Sequence, residues 1–202
     1  MLVVFDLDGT LIDSTQSLLA AHDLAWAKIG RPRPPAEAIL ELVGLPLIDT
    51  MKTLDPAADA DALARAYSEA YADTSKKYER LFDGVEQLLS MPFRAAVATG
   101  KSQRGAERAV SQHGLADRFE MVLGGNAVPR PKPYPDMLFA IREHTGVDHL
   151  VMVGDTTYDL EMAHAAKAKA VGVAWGHHSV DRLSEFGPVA SNMDELRGLL
   201  GL

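Results

Sequence analysis

The sequence predicts an α/β protein in which a parallel, Rossmann-like sheet is interrupted after its first strand by an all-helical insertion. Three observations predict this class. A continuous apolar run opens the chain and ends in carboxylates at Asp6 and Asp8. Residues 14–80 then carry helical spacing throughout, and from Asp83 onward strand and helix patterns alternate. Such alternation implies right-handed crossovers and a parallel sheet covered on both faces.

The opening run is typical of a strand buried on both faces inside a parallel sheet. We expect the strand to cover Leu2–Asp6, followed by a turn at Gly9-Thr10. Ligands of open α/β sheets gather at the carboxyl ends of the strands, which favours a chemical role for Asp6 and Asp8. The alternative interpretation is a strand followed by an ordinary Asp-Gly turn.

The helical block divides the predicted domains. Apolar residues at helix spacing, with Gly30 and a proline-rich loop at residues 31–35 as breaks, predict four helices. They are Leu18–Ile29, Ala36–Leu42, Leu47–Leu54 and Ala57–Tyr78. We therefore expect a catalytic core formed by residues 1–13 and 81–202, and a helical cap formed by residues 14–80.

The remaining sequence supplies the rest of the sheet and its covering helices. The predicted strands are Ala95–Ala98, Met121–Leu123, Leu150–Val153 and Ala170–Ala174, with a short edge strand at Val189. The predicted helices are Val85–Leu89, Gln103–His113, Pro135–Thr145, Tyr158–Ala166 and Asp194–Leu200. The first strand must rejoin this sheet across the helical block.

Composition excludes several classes of function. The 202-residue chain has a formal net charge of −8, which argues against nucleic acid as a partner. It has no cysteine, so thiolate nucleophiles, disulfides and zinc-thiolate sites are excluded. No apolar run reaches the ~18 residues of a membrane span, and Met1 leads into the first strand without a secretory leader. We expect a cytoplasmic protein without a membrane partner, either a monomer or a homodimer.

Polar residues of distinct types follow the predicted strands. Beyond Asp6 and Asp8, Thr99-Gly100-Lys101 follows the second core strand, and Gly154-Asp155 with Asp159 follows the fourth. Lys132 lies among prolines at the entrance to a helix. Because the carboxyl ends of parallel strands lie side by side, these carboxylates, hydroxyl and ammonium should converge in one crevice.

A carboxylate cluster of this kind suits a hard divalent cation. Mg²⁺ prefers oxygen ligands and retains several waters, which leaves room for a substrate phosphate. The lysine and the hydroxyl would bind the remaining phosphate oxygens. Such a site can transfer a phosphoryl group to a carboxylate, since this chemistry depends mainly on alignment and charge neutralisation.

These motifs resemble those of the haloacid dehalogenase superfamily, in the phosphatase branch with a helical cap inserted after the first motif. The four motifs match in order and spacing: Asp6-Leu7-Asp8-Gly9-Thr10, then Thr99, then Lys132, then Gly154-Asp155 with Asp159. An acid at Asp8 distinguishes the phosphatases from the dehalogenases of this superfamily. The stretch Leu89–Arg94 is shorter than family members usually show and lacks their glycine turn.

The resemblance implies a role for each motif residue. Asp6 would be the nucleophile that becomes an aspartyl-phosphate, and Asp8 would act first as general acid and then as base for water. Asp6, the backbone carbonyl of Asp8 and Asp155 would bind Mg²⁺, while Asp159 would bind it through water or anchor the site from behind. Thr99, the Gly100 amide and Lys132 would bind the phosphate.

The resemblance also suggests a substrate. The loop Val43-Gly44-Leu45-Pro46-Leu47 is similar to the substrate-facing loop of phosphoglycolate phosphatase-like members, although an ordinary inter-helix turn would look the same. We therefore expect a Mg²⁺-dependent phosphatase for a small phosphorylated metabolite, with 2-phosphoglycolate the best single candidate. A phosphomutase of the β-phosphoglucomutase type would use the same core residues. A signalling receiver domain and a catalytically silent binding module are remoter alternatives.

Several residues leave their roles open. His177 and His178 suggest a transition-metal site, but adjacent histidines in a loop rarely chelate, and a rim position in contact with substrate or solvent is the favoured interpretation. Lys101 fits either a phosphate contact or an exposed helix start. His22 falls on a predicted helix and is expected at the surface or its boundary.

Overall fold

A computed structural model describes the whole chain, residues 1–202, and its main feature is a six-stranded parallel sheet. The strand order is β5-β4-β1-β6-β7-β8. A separate two-stranded antiparallel sheet pairs β2 with β3. The strands are β1 (Leu2–Phe5), β2 (Ile12–Asp13), β3 (Arg80–Leu81), β4 (Arg94–Thr99), β5 (Val122–Gly124), β6 (Leu150–Gly154), β7 (Lys169–Val173) and β8 (Val189–Ala190).

Strand β1 lies at the centre of the parallel sheet because it is apolar on both faces. It pairs with β4 on one side and β6 on the other, with Val4 opposite Ala96 and Met152. Val3 and Phe5 contribute to one hydrophobic cluster and Leu2 and Val4 to the other. The alternation of a period-two strand thus supplies both cores from four residues.

Helices cover both faces of the sheet, as expected for parallel strands joined by crossovers. Those of the sheet region are α5 (Val85–Leu89), α6 (Gln103–Gln112), α7 (Asp136–Thr145), α8 (Thr157–Ala165), α9 (Val180–Ser184) and α10 (Met193–Leu200). Three have side-chain N-caps: Ser102 for α6, Asn192 for α10, and Thr156 with Asp159 as a capping box for α8. The capping box fixes the position of the chain directly after β6.

Four helices lie between β2 and β3: α1 (Thr15–Lys28), α2 (Ala36–Leu40), α3 (Leu47–Leu54) and α4 (Ala60–Tyr78). The β2–β3 pairing brings Asp13 opposite Arg80, so the chain leaves and re-enters the sheet region at one point. The α1, α3 and α4 helices enclose a separate hydrophobic cluster that includes Trp26, Met51 and Tyr67.

The predicted fold class is confirmed: a parallel sheet is interrupted after its first strand by helices. The predicted bounds of α3 and α5 agree with the structure. Strand β1 ends at Phe5 and not at Asp6, although the Asp6 amide still donates to the Val153 carbonyl (3.0 Å). The two-residue strands β2 and β3 are too short for a periodic signal, and the sequence did not reveal α9. None of the helices has the length and apolar character that a membrane crossing requires.

Candidate active site

Asp6 and Lys132 form the centre of the site at the carboxyl edge of the sheet. Asp6 follows β1, and its Oδ1 lies 3.0 Å from Lys132 Nζ. Both residues are buried, and apart from this ion pair the Asp6 oxygens have no hydrogen-bond partner. Burial raises the pKa of Asp6 to about 7, with Lys132 opposing the rise and neighbouring carboxylates adding to it. The carboxylate is thus held by one cation and is free to meet another ligand.

Asp159 completes the environment of Lys132. Its Oδ1 lies 2.5 Å from Lys132 Nζ, and its Oδ2 accepts hydrogen bonds from the amide and hydroxyl of Thr156. Although burial lowers the pKa of Lys132, Asp159 and Asp6 outweigh that effect and raise it above its ordinary value. Lys132 is therefore a charged lysine clamped between two carboxylates.

Asp155 is oriented by hydrogen bonds from both sides. Its Oδ1 accepts from the Thr10 hydroxyl (2.9 Å), and its Oδ2 accepts from the backbone amide (2.9 Å) and ring Nδ1 (2.7 Å) of His177. Burial would raise the pKa of Asp155, but the hydrogen bonds and charge of His177 outweigh it and lower the pKa. Gly9 adopts φ +76°, and a Cβ on it would lie 2.1 Å from Asp155 Oδ2, so only glycine fits there.

The expected rim position of His177 is wrong. The His177 side chain is 3% exposed, and Asp155 occupies its ring Nδ1. Burial lowers the pKa of His177, but the hydrogen bond and charge of Asp155 prevail and raise it. His177 therefore orients Asp155, and only the fold brings the two residues together, since they come from different strand ends.

The cluster has a donor set suited to a divalent cation. Ligand oxygens of Asp6, Asp155 and Asp159 all lie within 4.8 Å of one another, and all three residues are buried. Uncompensated carboxylates at this density repel one another, and hard oxygen donors match Mg²⁺. Asp6 Oδ2, which is buried and has no partner, is consistent with such a ligand.

Asp8 forms an ion pair with Lys101, the lysine whose role could not be decided from the sequence. Lys101 Nζ lies 2.9 Å from Asp8 Oδ2 and donates to the Tyr71 hydroxyl (2.8 Å). The same ammonium lies 3.7 Å from Glu79 Oε1 and 4.3 Å from the Tyr71 ring centroid. Its side chain is 9% exposed, so the expectation of an exposed helix start is wrong.

Glu79 was not predicted to belong to the site, because no pattern in the sequence relates it to Asp8. It caps the carboxyl end of α4, and its side chain is 1% exposed. It accepts a hydrogen bond from the Tyr71 hydroxyl, and His113 and Gln112 face its other oxygen. Burial raises the pKa of Glu79, but His113, Lys101 and Tyr71 lower it to about 2. The ionised Glu79 thus balances the charge of Lys101.

The helical insertion contacts the phosphate-motif residues through one loop. Thr99 and Gly100 line the same cavity as Asp6 and Asp8. Gly44 adopts φ +98°, and its carbonyl oxygen would lie 2.4 Å from a Cβ placed on Gly100. Gly44 also approaches Thr156, whose Oγ1 would be 3.2 Å from a Gly44 Cβ. The structure thus packs the predicted specificity loop against the carboxyl ends of β4 and β6.

Two further histidines lie inside the molecule. His178 is 3% exposed; its Nδ1 accepts from the Thr157 amide (3.0 Å), and its Nε2 donates to the Glu41 carbonyl (3.1 Å). This contradicts the rim position expected for His178 and makes it a link to the helical insertion. His22 is also 3% exposed and packs against Tyr67 and Trp26, so its expected surface or boundary position is wrong.

A cavity of about 410 Å³ opens above these residues. Asp6, Asp8 and Thr99 line its base, while apolar and aromatic side chains of the helical insertion line its wall. Its volume is within the usual range of small-molecule sites. Lys132 is buried and does not itself line the cavity, whereas its partner Asp6 does.

The model of the haloacid dehalogenase-like hydrolase family matches residues 3–173. The chain belongs to this family. A phosphoglycolate phosphatase of Neisseria meningitidis is 33% identical to this hydrolase over 197 residues, covering 91% of this chain and 84% of the relative. The tyrosine-protein kinase PtkA of Mycobacterium tuberculosis is 31% identical over 211 residues, covering 100% of this chain and 72% of the relative.

Solved structures share the fold of this chain. The structure of Mycobacterium tuberculosis PtkA matches this hydrolase with a TM-score of 0.79 and 30% identity, covering 100% of this chain and 98% of the other. A haloacid dehalogenase-like hydrolase from Streptococcus pneumoniae matches with a TM-score of 0.86 at 22% identity, covering 98% and 97%. The second match shows the shared fold alone.

Proposed function

We propose that this hydrolase is a Mg²⁺-dependent phosphatase that cleaves a small phosphomonoester through an aspartyl-phosphate on Asp6. The observation that carries the proposal is the Asp6 carboxylate, which is buried at the base of a cavity and has Lys132, at 3.0 Å, as its one polar partner. Family membership supports a hydrolase, and the Neisseria relative supports 2-phosphoglycolate as the first substrate to test.

In the first step a carboxylate oxygen of Asp6 attacks phosphorus, and the bond from phosphorus to the leaving oxygen breaks. Lys132, the Thr99 hydroxyl and the Gly100 amide would bind the phosphate oxygens as their charge redistributes. Fixed donors in a water-poor site stabilise such charge more strongly than water does. Lys132 suits this task because Asp159 fixes its ammonium from the opposite side.

Asp8 handles the proton in both half-reactions. It would give a proton to the leaving oxygen in the first step, which releases the alcohol. It would then take a proton from the water that attacks the aspartyl-phosphate, which releases inorganic phosphate and restores the Asp6 carboxylate. Lys101, at 2.9 Å from Asp8, orients this carboxyl toward the cavity.

Asp6, Asp155 and the backbone carbonyl of Asp8 would hold the Mg²⁺ ion. When bound, the ion would offset the charge of the substrate phosphate and of the carboxylate cluster. Thr10 and His177 fix the Asp155 carboxylate for this purpose. Asp159 already contacts Thr156 and Lys132, which favours a water-mediated or anchoring role for it.

Residues 14–80 would act as a cap domain over the catalytic core of residues 1–13 and 81–202. A cap limits the access of water and of large substrates, which favours transfer to the bound reactants. The contacts of Gly44 with Gly100 and Thr156 support this role, because they lie directly over the phosphate-motif residues.

Phosphate release from a panel of small phosphomonoesters, with Mg²⁺ and again with a chelator, tests the proposal. We expect Mg²⁺-dependent release that Asp6→Asn abolishes, while Asp155, the Asp8 carbonyl and the introduced amide oxygen keep part of the Mg²⁺ affinity. Asp148→Asn is the matched control, because Asp148 is exposed beside the opposite end of β6. Near-native turnover by Asp6→Asn would contradict the mechanism.

A sugar phosphomutase is the second candidate, since the cavity of about 410 Å³ also has room for a hexose phosphate. The same samples distinguish the two activities. Movement of phosphate between sugar positions without release of inorganic phosphate would replace the phosphatase proposal with the mutase.

A further inference from the structure

Two arginines at the cavity are left without partners. Arg65, Arg104 and Arg108 are the only arginines that make neither an ion pair nor a side-chain hydrogen bond. The other arginines contact carboxylates or backbone carbonyls. Of the three, Arg104 and Arg108 line the cavity and Arg65 does not.

Both arginines lie on α6, which starts directly after the phosphate-motif residues Thr99 and Gly100. They are four residues apart and therefore on one face of the helix. Arg104 belongs to the first turn of α6, which contains no acidic residue. A cation at the amino end of a helix opposes the helix dipole, so Arg104 gains nothing locally from this position. An anion in the cavity would benefit from both the guanidinium and the helix end.

The other charged side chains at the cavity are already balanced. Lys101 pairs with Asp8, and Glu69 pairs with Lys28. Asp6 faces Lys132 at the base. The unbalanced charge at the cavity beyond the predicted phosphate position is therefore positive and comes from Arg104 and Arg108.

Apolar side chains line the cavity near this positive region, while Arg104 and Arg108 themselves are exposed. Leu42, Val43 and Leu47 of the helical insertion line the cavity together with Tyr67. An anion bound by these arginines would therefore remain partly screened by solvent and salt. The cavity thus combines a predicted phosphate position, an apolar wall and a second cationic region.

We propose that Arg104 and Arg108 form a second anion-binding subsite that selects phosphomonoesters whose leaving group carries a carboxylate or a second phosphate. The inference rests on the proposed function and narrows its substrate class. The phosphate bound near Asp6 is the one that is transferred, while the second anion is held at α6 and remains with the released alcohol.

Matched acid and amide substrates test the subsite. One pair is 2-phosphoglycolate and phosphoglycolamide, and the other is 4-carboxyphenyl phosphate and 4-carbamoylphenyl phosphate. Each pair changes the charge with little change in shape, and the two pairs differ in reach. We expect the wild-type protein to favour the acid of at least one pair by about tenfold in kcat/KM.

The double variant Arg104→Gln/Arg108→Gln should lose most of that preference through KM and leave the amides within about twofold. Arg65→Gln is the matched control and should keep the preference. At about 0.5 M salt the wild-type preference should shrink, since screening weakens partly exposed charge contacts. Absence of a wild-type preference in both pairs, or an equal loss on acid and amide in the double variant, would overturn the subsite.

Failure of the phosphatase itself gives a different result. In that case the wild-type protein would release phosphate from none of the four compounds. Calorimetric binding of phosphonate analogues of the same pairs then tests the subsite without turnover. Tighter binding of the acid analogue that is lost in the double variant would support the subsite, and equal binding of acid and amide would overturn it.

Discussion

Two buried lysines flank the proposed reaction centre, and they are held in different ways. Lys132 is clamped by Asp6 and Asp159, both of which belong to the sheet region. Lys101 contacts Asp8 from the sheet region but also Tyr71 and Glu79, which belong to α4 and its carboxyl end. The nucleophile side of the site therefore depends on the sheet region alone, whereas the acid side is complete only when the helical insertion is docked.

The two lysines also differ in what compensates their burial. A buried charge is tolerated only when partners replace its hydration. Lys132 has two carboxylates and no solvent contact. Lys101 combines an ion pair, the Tyr71 hydroxyl and the face of the Tyr71 ring, and Glu79 carries the balancing charge. The predictions below separate these two sides, from the largest expected effect to the smallest.

Lys132→Met should lower kcat by about 10²–10³-fold, the usual loss when a fixed donor to a transition state is removed. It should also destabilise the fold by about 3–5 kcal/mol, because Asp6 and Asp159 are left buried without a cation. Phosphate release and denaturant unfolding measure the two effects. Lys169→Met, at an exposed position where β7 begins, is the control and should change neither. An active, stable Lys132→Met protein would refute the assigned role of this lysine.

Asp8→Ala should cost about 10²-fold on an alkyl phosphate and much less on an activated aryl phosphate. A good leaving group needs little protonation, so the difference reports the acid role. Rates on p-nitrophenyl phosphate and on an alkyl phosphate of similar size provide the comparison. Equal losses on both substrates would count against Asp8 as the acid.

Lys101→Met should reproduce the leaving-group pattern of Asp8→Ala at a smaller magnitude, about tenfold on the alkyl phosphate. The reason is that Lys101 orients Asp8 without itself contacting the leaving oxygen. Tyr71→Phe, which keeps the ring but removes the hydroxyl, should have a smaller effect of the same kind. Lys76→Met on the exposed face of α4 is the control. A loss that is the same for both leaving groups would show that Lys101 does not act through Asp8.

Lowering the pH should reduce the stability of the helical insertion, because His22 is buried within it. Burial, with a smaller effect of Arg33, lowers the pKa of His22 to about 4 from its ordinary value of 6.5. Between about pH 4 and pH 6.5 the His22 imidazole is therefore protonated in the unfolded chain but neutral in the folded chain. Stability is retained above about pH 6.5 and falls as the pH drops toward 4, by up to about 3 kcal/mol.

Unfolding at pH 7 and pH 4.5 for wild type and His22→Phe measures this contribution. His22→Phe should show a shallower loss of stability between the two pH values, and His144→Phe on the exposed face of α7 should match the wild type. His22 packs against Tyr67, and Tyr67 stacks on Tyr71, which contacts Lys101. A fall in pH through this range should therefore disturb the contacts of Lys101 before those of Lys132. If the unfolding free energy of His22→Phe fell with pH as steeply as that of the wild type, His22 would not be the cause of the acid sensitivity.

The sequence was a good guide where local pattern decides structure. The apolar run before Asp6, the break at Gly30 and the helix over Leu47–Leu54 each depend on nearby residues. The motif residues Asp6, Lys132, Asp155 and Asp159 were predicted to converge because parallel strands end at one edge, and the structure brings their side chains together. Their catalytic roles remain predictions.

The errors concern contacts between residues far apart in the chain. His177 was expected at the rim of the site because a histidine pair in a loop has no local partner. In the structure its ring Nδ1 is hydrogen-bonded to Asp155, which lies 22 positions earlier in the chain. The sequence left Lys101 as either a phosphate contact or an exposed residue at a helix start. It could not decide between them because Glu79 and Tyr71 approach Lys101 only when α4 packs against the sheet region. His22 carries no signal that separates a buried aromatic contact from a surface histidine.

By itself the sequence determined the sheet, the helical insertion and the set of groups at the carboxyl edge, since hydrophobic periodicity and strand ends are local properties. Only the tertiary structure decided which carboxylate each lysine balances, which histidine orients Asp155, and which arginines reach the cavity unpaired. Those pairings depend on distances of a few ångströms between residues that are far apart in the chain, as for Asp6 and Lys132. Packing of the whole chain sets such distances.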